Sequence, residues 1–147
     1  MARQLGTIRL GLYASRAYLA GRKPASLDLS SERLLLYDES YGRIPELLWL
    51  READLAGAVW MRTASTRALV RAAVSGAGIA LLPEVFAARE AALVVLPAPQ
   101  PIPPRTPWLL VHRDLRALAP IRAVGAWVVA TFAEVLGKRS SWHSFSA

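Results

Sequence analysis

An α/β domain with a largely parallel sheet is what this sequence predicts, and three observations carry that reading. Short apolar runs of strand length, Leu34 to Leu36 and Ile79 to Leu82, show no polar alternation, as strands buried on both faces do. Segments with helical spacing, opened by Ser or Pro at capping or first-turn positions, lie between such runs. The two patterns alternate along the chain instead of gathering in separate halves, which is the order of strand–helix–strand units.

The first strand is expected at Thr7 to Ala14, where Ile8, Leu10 and Leu12 recur at period two. Ser15 then offers an N-cap to a short helix over Arg16 to Ala20, with Gly21 as its left-handed stop. After the Pro24 to Asp28 loop, Leu34 to Leu36 forms a buried strand that ends at Tyr37, before the polar loop Asp38, Glu39, Ser40. Pro45 suits a first helical position, so Pro45 to Arg51 reads as one or two helical turns in which Trp49 packs. Ala58 to Thr63 reads as a strand, Ser65 as an N-cap, and Thr66 to Ser75 as a helix carrying Leu69, Val70, Ala72 and Ala73 to a stop at Gly76. Ile79 to Leu82 is a buried strand, Pro83 opens a helix to about Glu90, and Leu93 to Leu96 is a strand. Six of the eleven residues from Pro97 to Pro107 are proline, which forces extended backbone and marks a connector. Trp108 to His112 reads as a strand and Pro120 to Leu136 as the longest helix, with Ile121, Val124, Trp127, Val128 and Phe132 at core spacing. The Ser-rich stretch from Lys138 to Ala147 is expected to fray.

Composition narrows the function. A chain of 147 residues suffices for one domain with a hydrophobic core. The absence of cysteine excludes disulfides, a thiol nucleophile and Cys-based zinc sites. The formal charge of +7 would suit a nucleic-acid partner if it were gathered on one face, but the arginines spread almost evenly from Arg3 to Arg139, and Lys occurs only at Lys23 and Lys138. That charge reads mainly as solvation. Met1 to Leu10 lacks the apolar run of a secretory signal, so a cytoplasmic location is expected. The apolar stretch Val124 to Leu136 is interrupted by Glu134, bounded by Arg122 and Lys138, and shorter than the roughly 20 residues a bilayer core requires, so no membrane association is expected.

Three segments in series, "RLGLYASRAYLAG" at Arg9 to Gly21, "LVRAAVSGAGIALLPEVFA" at Leu69 to Ala87 and "WLLVHRDLRALAPIRAVGAWV" at Trp108 to Val128, resemble the effector-binding domain of LysR-type transcriptional regulators. The resemblance runs from about residue 7 to residue 136, and the middle segment is its most specific part. It implies a type II periplasmic-binding-protein-like fold: two α/β lobes joined by two crossovers, with a small-molecule effector held in the cleft between them. On that mapping, 1–7 is the first crossover, 8–99 is lobe two nearly complete, and 100–108 is the Pro-rich second crossover. Residues 109–136 return the C-terminal strand and helix of lobe one, and 137–147 form a flexible tail. The winged helix-turn-helix and the first part of lobe one that family members carry are not in the sequence. A C-terminal helix meant for a fuller lobe one would expose large side chains, which self-association or a partner chain would cover.

Ligands of open α/β sheets sit beyond the carboxyl ends of the strands, where helix N-termini offer free N–H groups. The corners expected there are Ser15 and Arg16 after the first strand, Tyr37 and Asp38 after the second, and Thr63, Ser65 and Thr66 after the third. They could hold a carboxylate effector through hydroxyls and backbone N–H groups, although Ser15 and Ser65 would also serve simply as caps. Gly76 and Gly78 follow a helix and read as a structural turn, not a phosphate loop. His112 and His143 lack metal-ligand spacing, His112 reads as a satisfied structural residue, and adjacent Asp38 and Glu39 diverge on extended backbone. No catalytic role, cofactor or metal is therefore expected. The expected function is a ligand-sensing regulatory domain acting as a homo-oligomer, a dimer in the simplest case, that reaches DNA only through a helix-turn-helix outside this sequence. The alternatives are a truncated module that associates with full-length regulators and, behind it, the solute-binding protein of a transporter.

Overall fold

The computed structural model describes residues 2–137. The tail expected to fray from Lys138, with His143, lies outside the described residues. In chain order the elements are β1 (Ala2–Gln4), β2 (Leu10–Ser15), α1 (Arg16–Leu19), β3 (Leu34–Tyr37), α2 (Pro45–Glu52), β4 (Val59–Thr63), α3 (Thr66–Val74), β5 (Ile79–Pro83), α4 (Glu84–Ala87), β6 (Leu93–Leu96), β7 (Trp108–Leu110) and α5 (Ala119–Gly137). They fall into two compact units: a larger one, Arg9–Arg105, and a smaller one made of Met1–Ile8 with Thr106–Ala147.

In the larger unit five strands form one sheet in the order β4-β3-β5-β2-β6. β3 is parallel to both β4 and β5, whereas β2 is antiparallel to its neighbours β5 and β6. Four strands thus share one direction and β2 alone is reversed, so the sheet is mixed. The central strands β3 and β5 are buried at every residue, which explains their unbroken apolar runs. The edge strand β4 alternates half-buried Val59, Met61 and Thr63 with exposed Trp60 and Arg62, as a strand covered on one face does.

Successive side chains of a strand point to opposite faces, and two cores follow from that period. Leu34 and Leu36 of β3 pack with Leu47, Trp49 and Leu50 of α2. Leu35 and Tyr37 pack on the other face with Leu69, Val70 and Ala73 of α3. Burial of each such Leu contributes about 1.5–3 kcal/mol, so the sheet is held between α2 and α3 mainly by these two sets. Trp49 is the packing residue its spacing suggests, and its indole N–H donates to the Gln100 carbonyl at 3.2 Å. The Pro-rich connector is thereby fastened to α2, with Ile102 packed against the same core.

The turn between α3 and β5 accounts for both of its glycines. Gly76 (φ +82°) donates to Ala73 O and Ala77 to Ala72 O, the paired bonds of a Schellman stop that needs a left-handed residue. At Gly78 an added Cβ would lie 2.3 Å from Arg33 O, so only glycine lets β5 draw close to the chain leading into β3. Other boundaries moved. The left-handed turn after α1 begins at Ala20 (φ 47°) before Gly21 (φ 81°), and the helix expected from Pro83 to about Glu90 is the single turn α4.

In the smaller unit β1 pairs antiparallel with β7, Ala2 opposite Leu110 and Gln4 opposite Trp108. β1 went unforeseen because Ala2, Arg3 and Gln4 are all exposed and carry no apolar period. His112 lies beyond the end of β7 with an exposed side chain, its Nδ1 3.5 Å from an Asp114 carboxylate oxygen; it is a surface residue, not a residue of the expected strand. α5 has 19 residues, none of them buried, and leaves Val124 and Trp127 exposed. By length and composition it could cross a membrane, with a mean hydropathy of 1.4 over its best window. A groove of about 640 Å³ runs along it, floored by Leu109, Ile121, Gly125 and Val129 and edged by Arg3, Arg116 and Arg122.

Candidate functional site

Parallel β3 and β4 bring their carboxyl ends side by side, Tyr37 opposite Thr63, and the next residue closes the corner as Asp38 N–H donates to Thr63 O at 3.1 Å. Beyond β4 the chain turns sharply into α3. Thr63 Oγ1 accepts the Ser65 N–H at 3.1 Å, and Ser65 Oγ, as N-cap, accepts the Ala68 N–H at 3.2 Å. Helix geometry leaves the N–H groups of Thr66 and Arg67, at the first two positions of α3, without an intrahelical acceptor at the positive end of its dipole.

Tyr37 forms the floor. Its side chain is fully buried, and its hydroxyl lies 2.7 Å from Thr66 Oγ1, joining the end of β3 to the start of α3. Burial pushes the phenol pKa up, against the pull of the Thr66 hydrogen bond and the positive charge of Arg105. Tyr41 tilts over Tyr37 with ring centroids 4.7 Å apart and donates to Ala64 O at 2.6 Å. Asp38 turns away to cap its own loop, its Oδ1 accepting from the Ser40 N–H at 3.0 Å and from the Ser40 hydroxyl.

The structure therefore brings together five of the seven residues expected at the site: Tyr37, Asp38, Thr63, Ser65 and Thr66. Ser15 and Arg16 lie elsewhere. Because β2 is reversed, with Leu10 opposite Pro83 and Tyr13 opposite Ala80, its carboxyl end falls beyond the start of β5, at the far end of the sheet from Tyr37. There Ser15 is buried and accepts the Tyr18 N–H at 3.1 Å, the capping role. Arg16 is held by the chain entering β6, its Nη1 donating to Ala91 O at 2.6 Å and its backbone N–H to Ala92 O at 3.1 Å.

Besides Tyr41, two residues of the corner that pair with each other were not singled out in the sequence. Arg105, from the Pro-rich segment, places its guanidinium 5.2 Å from the Tyr37 ring centroid. Its partner is Glu46 in the first turn of α2, whose side chain is 0 % exposed: Nε donates to Oε2 at 3.1 Å, and Nη2 lies 2.7 Å from Oε1 as an ion pair without hydrogen-bond alignment. A charged residue in a run of prolines is the one signal that could have marked Arg105, since stiff backbone holds a side chain in place. Glu46 reads locally as a first-turn acid complementing the helix dipole, which hides its long-range pairing.

Chemically the corner offers hydroxyls, helix N–H groups and a guanidinium edge, a set suited to binding an acceptor-rich or anionic small molecule. Among the described residues, no group of three or more His, Cys, Asp or Glu is placed to hold a metal ion.

A search of curated proteins gave no match. The family model of the LysR substrate binding domain matches residues 1–133. Among solved structures, the effector domain of the transcriptional regulator AmpR of Pseudomonas aeruginosa is similar at 23% identity and TM-score 0.66, with 93% of this chain and 67% of that chain covered. The C-terminal domains of a LysR family protein from Agrobacterium tumefaciens give 23% identity and TM-score 0.67, covering 92% and 67%. The Synechocystis PCC6803 CcmR regulatory domain in complex with 2-PG gives 16% identity and TM-score 0.69, covering 90% and 66%. At these identities the structures establish the fold, α/β and type II periplasmic-binding-protein-like, and the family match carries the assignment. This chain belongs to the LysR substrate-binding-domain family.

Proposed function

We propose that the chain is the ligand-sensing regulatory domain of a LysR-type transcriptional regulator, holding a small effector at the corner formed by Tyr37, Asp38, Thr63, Ser65 and Thr66. The observation that carries this reading is the convergence of the β3 and β4 ends on the capped start of α3, where polar groups gather over a buried aromatic floor. The effector is a carboxylate in the simplest fit, because the N–H groups of Thr66 and Arg67 and the dipole of α3 favour negative charge. One structural neighbour, the CcmR regulatory domain, is in complex with 2-PG, which supports a small-molecule ligand here. The domain binds without making or breaking a bond: occupancy shifts a pre-existing equilibrium. Transcription is then controlled through a helix-turn-helix on an attached or partner chain, in the cytoplasm and without a membrane.

A thermal-shift screen with small carboxylates tests this. A ligand at about 100 times its Kd adds roughly 2.7 kcal/mol of stability, a readily measured rise in Tm. The shift should vanish in Ser65→Ala/Thr66→Val. No shift across a broad panel, or shifts indifferent to that variant, would remove the site.

The smaller unit favours a second feature of the reading, association with another copy of the chain. A 19-residue helix with no buried residue presents Trp127 and Val124 to solvent, and a second copy, or a full-length regulator carrying the same domain, would cover them.

A further inference from the structure

Arg105 is the residue of the corner with capacity to spare. Its Nε and Nη2 face Glu46, and Nη2 is among the atoms shut away from solvent. The side chain is nevertheless 27% exposed, and Nη1 is not among the buried atoms, so the guanidinium turns one edge inward to a carboxylate and another outward. A guanidinium has five N–H donors in a rigid fork, and fixing one edge fixes the direction of the rest. The guanidinium lies over the ring of Tyr37, 5.2 Å from its centroid, and the hydroxyl of that same ring reaches Thr66 at the start of α3.

Charge makes the same point. Asp38 and Glu46 are acids at the corner and would disfavour an anion there; Arg105 offsets one of them, and Arg62, whose Nη1 donates to Tyr37 O at 3.5 Å, offsets the other, before the helix dipole is added. We propose that Arg105 is the specificity-determining residue of the site, selecting anionic effectors over their neutral isosteres through its Nη1 edge, and that Glu46 is the positioning residue that aims it. This rests on the effector site proposed above and adds the residue that reads the ligand's charge. Arg105 is also the last residue of the larger unit, so an anion drawn to it engages the segment through which the chain leaves that unit.

The test is isothermal titration of the full chain with acetate, benzoate, salicylate and succinate, each beside its primary amide. The wild type should bind at least one carboxylate on the order of tenfold more tightly than its amide, as loss of a charge-assisted bond implies. Arg105→Lys keeps a charge against Glu46 but loses the fork, and should shrink that ratio mainly by weakening the carboxylate. Arg105→Gln/Glu46→Gln removes both charges together and should bring the acid-to-amide ratio close to one. A purely structural role for Arg105 would weaken acid and amide alike and leave the ratio unchanged, overturning the proposal. Equal wild-type affinity for acid and amide would overturn it too, while leaving the effector site standing. Binding of neither class would instead remove the site itself, and Arg105's role with it.

Discussion

The Tyr37 hydroxyl and Thr66 Oγ1, 2.7 Å apart, tie the last residue of a central strand to the first residue of the helix that caps the candidate site. Removing one partner is not symmetrical. Thr66→Val strands a buried phenol and should cost about 1–3 kcal/mol, whereas Tyr37→Phe leaves an unpaired hydroxyl on a half-buried residue and should cost about 0.5–1.5 kcal/mol. Urea unfolding of both singles and the double should give a coupling of about 1 kcal/mol. A coupling near zero would show that the two hydroxyls act independently.

The Glu46–Arg105 pair makes a sharper stability prediction. Arg105→Ala leaves a fully buried carboxylate without its cation and should cost about 3–5 kcal/mol. Glu46→Leu/Arg105→Met, which replaces both charges by apolar groups of similar length, should recover most of that loss. If the double variant is as unstable as Arg105→Ala, the pair fixes geometry that apolar packing cannot replace.

How far the sequence reached follows from what its signals encode. Period-two burial marks β2 as a strand but is the same read in either direction, so the reversal that carries Ser15 and Arg16 to the far end of the sheet had no local signature. Thr63, Ser65 and Thr66 were legible because strand end, cap and helix start are contiguous, and their geometry is set within a few residues. Arg105 and Glu46 stand 59 positions apart, and only the tertiary fold brings them together. α5 shows the same limit from the other side: its apolar spacing reads as a core face, yet no residue of it is buried.

Gly78 offers a test of close packing. Gly78→Ala would drive a Cβ to 2.3 Å from Arg33 O, which is backbone and cannot swing aside, so β5 must withdraw from the chain entering β3. A loss of at least about 2 kcal/mol is expected. Gly57→Ala, where an added Cβ meets nothing within 4 Å, is the control and should stay within about 0.5 kcal/mol of wild type.

Glu32 predicts a pH dependence. Burial alone would raise its pKa, but hydrogen bonds from the Tyr18 hydroxyl at 2.5 Å and Arg22 Nη1 at 2.6 Å outweigh that and hold the folded-state value below the usual glutamate range. A depressed carboxylate pKa contributes stability that is present above the unfolded-state value and is lost as pH falls through the folded one. Glu32→Gln should therefore cost about 1.5–3 kcal/mol at neutral pH. The difference from wild type should narrow steadily on acidification below the ordinary glutamate range. A gap that stays constant with pH would mean that shape, not charge, is what Glu32 supplies.

Val124 and Trp127, three residues apart on α5, share a helix face, and both are more than half exposed at 59% and 67%. Exposed apolar groups of this size are stabilised by about 1.5–3 kcal/mol each when fully covered, enough together to drive association of two helices at modest concentration. Charges placed there should oppose association without harming the fold, since neither side chain contributes to a core. Val124→Glu/Trp127→Glu is therefore expected to move the chain toward monomer in sedimentation velocity, with far-UV circular dichroism and Tm of the larger unit unchanged. The groove edged by Arg3, Arg116 and Arg122 adds a salt dependence: two copies carrying the same basic rim repel, so wild-type self-association should strengthen as ionic strength rises. Association that weakens with salt instead would point to an acidic surface meeting that rim, and a wild type monomeric at every salt concentration would show that α5 does not pair with its own copy.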